Sequence, residues 1–160
     1  MTPPTPTLGT LLRHLIETLD GAVEDAYRAS GLDYRPRYTP VVKALTALGP
    51  VSIRVISRQA GISHSAASQT VSQMVREGLV ALSPGIDGRE RIVALTPRAQ
   101  AMLPAVTRQW RAVNAAAAGL DAELSAPLSG LLVEAIAALE RKTFGDRIAD
   151  AAEQISLEAP

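Results

Sequence analysis

VSIRVISRQAGISHSAASQTVSQMVREGLVALSPGIDGRERIVALT, residues Val51–Thr96, decides the fold. It opens with a short strand start (Val51-Ser52) and an apolar helix (Ile53 to Ala60). A tight turn follows (Gly61-Ile62-Ser63), then a second helix (His64 to Glu77). Next come a strand (Leu79 to Ser83), a Pro-Gly-Ile-Asp-Gly loop (Pro84 to Gly88) and a returning strand (Glu90 to Leu95). Helix, turn, helix and two-stranded wing is the order of a nucleic-acid-reading unit. Within it, Val55, Ile56 and Ala60 of the first helix face inward, and Ala67, Val71, Met74 and Val75 form the apolar set of the second. The other face of that helix carries Ser63 (which doubles as its N-cap), His64, Ser65, Ser68, Gln69, Ser72, Gln73 and Arg76. These are short or planar hydrogen-bonding groups that suit base edges and phosphates. A polar, merely solvated helix face is the competing reading. The loop's glycines permit positive φ. Arg89 at its tip suits a narrow minor groove, Asp87 can hold that guanidinium extended, and Arg91 is a candidate phosphate contact.

Outward from this unit, the periodicity predicts helical arms. Leu8, Leu11, Leu12, Leu15, Ile16, Leu19, Val23, Ala26 and Tyr27 recur in steps of three and four, an amphipathic stripe ending near Ser30-Gly31. His14 beside the stripe reads as a partly buried structural histidine. Leu32 to Tyr38 is a basic, aromatic connector. Thr39 as cap and Pro40 at the first position start a helix that stops at Gly49-Pro50. Thr96-Pro97 opens another, with Pro104 a point for a bend, which fades through Asn114 to Gly119. Asp121 caps a last long helix striped by Leu124, Leu128, Leu131, Leu132, Ala135, Ile136 and Leu139, with a break at Gly145 before a terminal piece. Residues 1–7 are a loose lead-in, and no solenoid repeat is visible.

The formal net charge is zero, but its distribution is uneven. Tyr34 to Arg111 holds 11 bases against 3 acids, leaving the flanks at −8. A basic middle between acidic arms points to a polyanion at the middle; chance clustering is the alternative. With no Cys, disulfides, thiolate metal sites and cysteine redox sensing are excluded. With only 3 Tyr, 1 Phe and 1 Trp, aliphatic and Ala packing is expected to fill the core. No signal-peptide pattern and no apolar run of about 18 residues appears, so a cytoplasmic setting without membrane contact is expected. Neither a cofactor nor a metal is expected. An enzyme is poorly supported. His14 and His64 lie in separate helices, Glu24-Asp25 reads as a solvated face, and no phosphate loop or nucleophile elbow is present. A protein–protein scaffold that no longer touches DNA is the other alternative.

The fold expected is mainly α with a small β-hairpin wing, a winged helix-turn-helix plus a helical dimerisation region. Its parts are the lead 1–7, an N-terminal dimerisation helix and connector 8–37, the DNA-binding domain 38–99, and C-terminal dimerisation helices 100–160. Two striped arms outside the reading unit would be buried by pairing with a second copy.

Gly49-Pro50-Val51, Ile56-Ser57, Gly61-Ile62-Ser63, Val75 to Val80, Asp87-Gly88-Arg89 and Ala94-Leu95-Thr96-Pro97-Arg98-Ala99 together resemble the MarR family of winged-helix transcriptional regulators. The likeness covers residues 8 to 142. It implies a homodimer with recognition helices in successive major grooves of double-stranded DNA and wing arginines in the flanking minor grooves. By position, Ser63, Ser65, Ser68 and Gln69 match base- and phosphate-facing residues, and Arg89 the wing arginine. Ala66 and Gln69 stand where Thr and Arg are frequent in the family. The family often binds small aromatic effectors between its lobes. Here that crevice would involve Leu11, His14, Tyr34 and Tyr38 on one side and Trp110 on the other. The function implied is a repressor on a pseudo-palindromic operator.

Overall fold

The structure is a computed structural model and describes residues 6–85 and 90–158. The helices are α1 (Leu8–Ala29), α2 (Thr39–Leu48), α3 (Ile53–Ala60), α4 (His64–Arg76), α5 (Pro97–Glu123), α6 (Leu128–Arg141) and α7 (Phe144–Glu158). The strands are β1 (Val51–Ser52), β2 (Val80–Pro84) and β3 (Arg91–Leu95), and a 3₁₀ turn spans Pro36–Tyr38. The chain divides into two compact units, residues 1–111 and 112–160.

The first unit contains the winged helix. Its sheet is antiparallel in the order β1-β3-β2, so the short strand expected at Val51-Ser52 joins the two strands of the wing. Val51 pairs with Val93 and Ser52 with Ile92, which ties the start of α3 to the returning strand. Across the hairpin, Val80 pairs with Leu95 and Pro84 with Arg91. Gly85 donates its N–H to the Glu90 carbonyl at 2.7 Å and closes the hairpin. Its φ is not positive, so the freedom that glycine permits is not used here. A Cβ there would lie 3.0 Å from that carbonyl oxygen, so close approach is what requires glycine.

The core gathers Val41, Val42, Leu45, Ile56, Val71, Met74, Leu79, Val80, Val93 and Val106. It is mainly aliphatic, as composition predicts, and it also takes all three tyrosines. Tyr27 and Tyr34 meet edge to face with centroids 4.9 Å apart, and Tyr34 and Tyr38 likewise at 5.8 Å. This arrangement sets the positive ring edge against the negative face. Val75, expected inside, is exposed; α4 buries only Ala67, Val71 and Met74. Ser57, unremarked in the sequence, is buried and donates to the Arg54 carbonyl at 3.0 Å.

Thr39 does not cap α2, as expected; it is the first helical residue. Its hydroxyl oxygen instead accepts from the Tyr34 hydroxyl at 3.3 Å and from the Trp110 indole N–H at 3.2 Å. Thr96 does cap α5. Its oxygen accepts from the Ala99 amide at 3.2 Å while its hydroxyl donates to the Gly78 carbonyl at 2.8 Å, fixing the helix to the turn after α4. α5 continues through Pro104 and past Gly119.

In the second unit, Asp121 lies within α5, yet its carboxylate accepts from the Ser129 amide at 3.2 Å and from the Ser129 hydroxyl. It therefore serves the N-terminus of α6 from across the turn. Those bonds from Ser129 hold its carboxyl below the usual range. The next break falls at Lys142–Thr143, not at Gly145; Thr143 caps α7 by accepting from the Asp146 amide at 3.1 Å. Leu131, Leu132, Val133, Ile136 and Leu139 of α6 are exposed, as are Phe144, Ile148 and Ile155 of α7. In the first unit, Leu8, Leu11, Leu12, Ile16 and Leu19 of α1 are exposed too. His14 is also exposed, contrary to the partly buried position expected. Among the described residues, no single helix is long and apolar enough to cross a membrane.

Candidate nucleic-acid interface

α3 and α4 are joined by a turn that depends on Gly61, whose φ of 64° and ψ of 29° lie in the left-handed region. That residue turns the chain sharply enough for Ser63 to begin α4 at once. The Ile62 amide bonds back to the Ser57 carbonyl at 3.1 Å. Ser63 then accepts from the Ala66 amide at 3.1 Å, the cap its sequence position predicts. That bond uses the oxygen as an acceptor and leaves the hydroxyl hydrogen free to donate. First-turn amides of a helix lack helical partners and attract anions. The start of α4 is therefore suited to a phosphate.

Along α4, His64, Ser65, Gln69, Ser72 and Arg76 are exposed, and Ser68 is half-buried. The steps from Ser65 to Gln69, Ser72 and Arg76 are four, three and four, so these side chains form one row. Gln73 differs. It is half-buried, its amide N–H₂ donates to the Glu77 carboxylate at 2.6 Å, and its amide oxygen accepts from Arg76. Glu77 is only 19% exposed and also faces Arg35 at 3.6 Å. Its backbone carbonyl accepts from Arg98 at 2.9 Å. Burial opposes its ionisation, but Gln73, Tyr38, Arg35 and Arg37 outweigh burial and hold the carboxyl below its usual range. Burial first, and then the Glu77 carboxylate, push the Tyr38 hydroxyl up against the pull of Arg37 and Arg35.

Arg91 is exposed at the start of β3. Asp87 and Arg89, expected at the wing tip, lie outside the described residues. Arg54 and Arg58 of α3 are exposed in the same unit and extend its positive charge.

The residues expected at an effector crevice fall in two places. Tyr34 and Tyr38 are buried and in ring contact, and Trp110 joins Tyr34 through Thr39. Lys43 sits 5.1 Å over the Trp110 ring. Burial pushes the Tyr34 hydroxyl far up, so it stays protonated. Leu11, by contrast, is 51% exposed. It lies 16 residues before Tyr27 on α1, about 24 Å at the helical rise. One protomer therefore does not bring Leu11 and His14 to the tyrosines. A cleft of about 470 Å³ does open beside Tyr34, lined by Glu24, Arg28, Gly31, Leu32, Asp33 and Arg35. Among the described residues, no cluster of His, Asp or Glu could hold a metal ion.

Sequence reasoning singled out neither Arg35 and Glu77 nor the Thr39 hydroxyl. For Glu77 a signal existed: Gln73, Arg76 and Glu77 stand at i, i+3 and i+4, within reach on one helix. Thr39 and Trp110 are 71 residues apart in the sequence, beyond the reach of any local pattern.

The model of the MarR family matches residues 31–90. No curated protein matches the chain. Solved structures do. The transcriptional regulator MosR of M. tuberculosis in complex with DNA is 21% identical, with a TM-score of 0.63 over 92% of this chain and 98% of that one. A MarR family transcriptional regulator from Silicibacter pomeroyi is 25% identical, with a TM-score of 0.58 over 82% and 94%. The PcaV regulator of Streptomyces coelicolor, solved with its natural ligand, is 22% identical, with a TM-score of 0.56 over 94% and 99%.

Proposed function

We propose, from the match of residues 31–90 to the model of the MarR family, that this protein binds operator DNA sequence-specifically through α4. It acts as a homodimeric repressor on a pseudo-palindromic site. The observation that carries this reading is the exposed row Ser65, Gln69, Ser72 and Arg76, set behind a Ser63-capped helix start. A row without carboxylates meets a polyanion without repulsion, and its amide, hydroxyl and guanidinium groups match the donors and acceptors of the major groove. His64 and Ser68 lie beside that row on α4, and exposed Arg91 with Asp87 and Arg89 are proposed as further DNA contacts. Exposed leucine and isoleucine faces on α1, α6 and α7 support the homodimer, since apolar faces of this size are covered by a partner. A small aromatic effector is proposed for the region of Tyr34, Tyr38 and Trp110; a regulator of similar fold was solved with its natural ligand.

The test is in-vitro selection of duplex DNA on the purified protein, followed by titration at several salt concentrations. Two related half-sites about ten base pairs apart and a steep fall of affinity with salt are expected. A scaffold or an enzyme would show no enriched site and almost no salt dependence.

A further inference from the structure

The far end of α4 contains a hydrogen-bonded chain with a fixed polarity. A carboxylate only accepts hydrogen bonds and a guanidinium only donates them. An amide placed between the two has one satisfactory orientation, nitrogen toward the carboxylate and oxygen toward the guanidinium. Gln73 lies in that position, with its N–H₂ on Glu77 at 2.6 Å and its oxygen accepting from Arg76. Glu77 is held in turn. Arg35 of the connector stands 3.6 Å from the same carboxylate oxygen, and Arg98 of α5 grips the Glu77 carbonyl at 2.9 Å. The second carboxylate oxygen of Glu77 and the Tyr38 hydroxyl are both buried, so that side of the carboxylate is closed to solvent. Arg76, at the other end, is exposed in the row with Ser65, Gln69 and Ser72.

We propose that Glu77 is a positioning residue for DNA recognition: it fixes the Gln73 amide, which holds the Arg76 guanidinium in one place on the exposed face of α4. The proposal rests on the DNA-binding reading above and adds the device that orders one of its contacts. Gln73 then acts inside the protein and not on a base. A long arginine that is already ordered loses less rotamer freedom when it meets DNA. Simple electrostatics predicts the opposite sign for Glu77, because removing a carboxylate beside a polyanion strengthens binding.

The experiment is a double-mutant cycle on a duplex recovered by selection on the wild-type protein. Glu77→Leu and Gln73→Met are each measured with Arg76 present and in an Arg76→Ala background. Each is expected to lower affinity about three- to tenfold with Arg76 present and less than about twofold without it. Arg76→Ala should itself reduce the salt slope by about one. Equal losses in both backgrounds, unchanged affinity, or tighter binding by Glu77→Leu would overturn the proposal. Gln73→Met keeps the net charge and helical preference, so it carries the test if Glu77→Leu fails to fold. Absence of salt-dependent binding by the wild type would reject the DNA-binding reading itself, a distinct outcome.

Discussion

The Thr39 hydroxyl accepts from two donors, Tyr34 and Trp110, in a part-buried setting. Thr39→Val keeps the shape and leaves both donors unpaired. It is expected to lower stability by about 1–3 kcal/mol in urea unfolding, with Thr39→Ser close to wild type. Gln69 is the exposed amide in the middle of α4. Gln69→Ala should leave overall fold and salt slope intact and relax preference at one base position by about 1–3 kcal/mol, read by titration against single-base operator variants. Glu77 gives a pH dependence. Its folded carboxyl lies below the ordinary 4.5, so folding favours its ionised form. That contribution is complete above pH 4.5 and is lost as pH falls through the folded value. Glu77→Gln should therefore unfold with a flatter pH profile below pH 4.5 than the wild type. An equally steep profile would assign the acid sensitivity to other carboxylates. Arg35 and Glu77 are 42 positions apart, and no local pattern pairs them; folding of the connector onto α4 does.

At the scale of elements, α4 depends on its beginning. Ser63→Ala removes the acceptor for the Ala66 amide and should cost about 1 kcal/mol of stability. Its effect on DNA affinity should exceed that of the equally exposed Ser72→Ala, because the first-turn amides fray. Equal effects would remove the helix start from the contact. The helix-turn-helix was legible because Gly61 and Ser63 act through local backbone chemistry, and the spacing of Ala67, Val71 and Met74 is a local geometric fact. The short strand at Val51-Ser52 was legible too, but its partners were not, since only folding pairs it with Val93 and Ile92. Likewise, Asp121 looked like the cap of a new helix; it reaches the next helix from inside α5, across a turn that spacing alone does not describe.

At the scale of the whole molecule, the exposed faces of α6 and α7 and of α1 predict association. Ile136→Glu is expected to shift the protein toward monomer in sedimentation analysis and to weaken operator binding, since two half-sites need two linked helices. A variant that stayed dimeric would place the interface elsewhere. The periodicity of the arms, the turn chemistry and the charge separation between middle and flanks were all determined by sequence, because each depends on neighbours within a few residues or on simple counting. What tertiary structure alone decided is which polar groups are committed inside. It drew Tyr34 and Tyr38 into the core, placed Thr39 between two donors, and brought Arg35 to Glu77. Those outcomes follow from contacts between distant segments, whose geometry is set only when the helices pack.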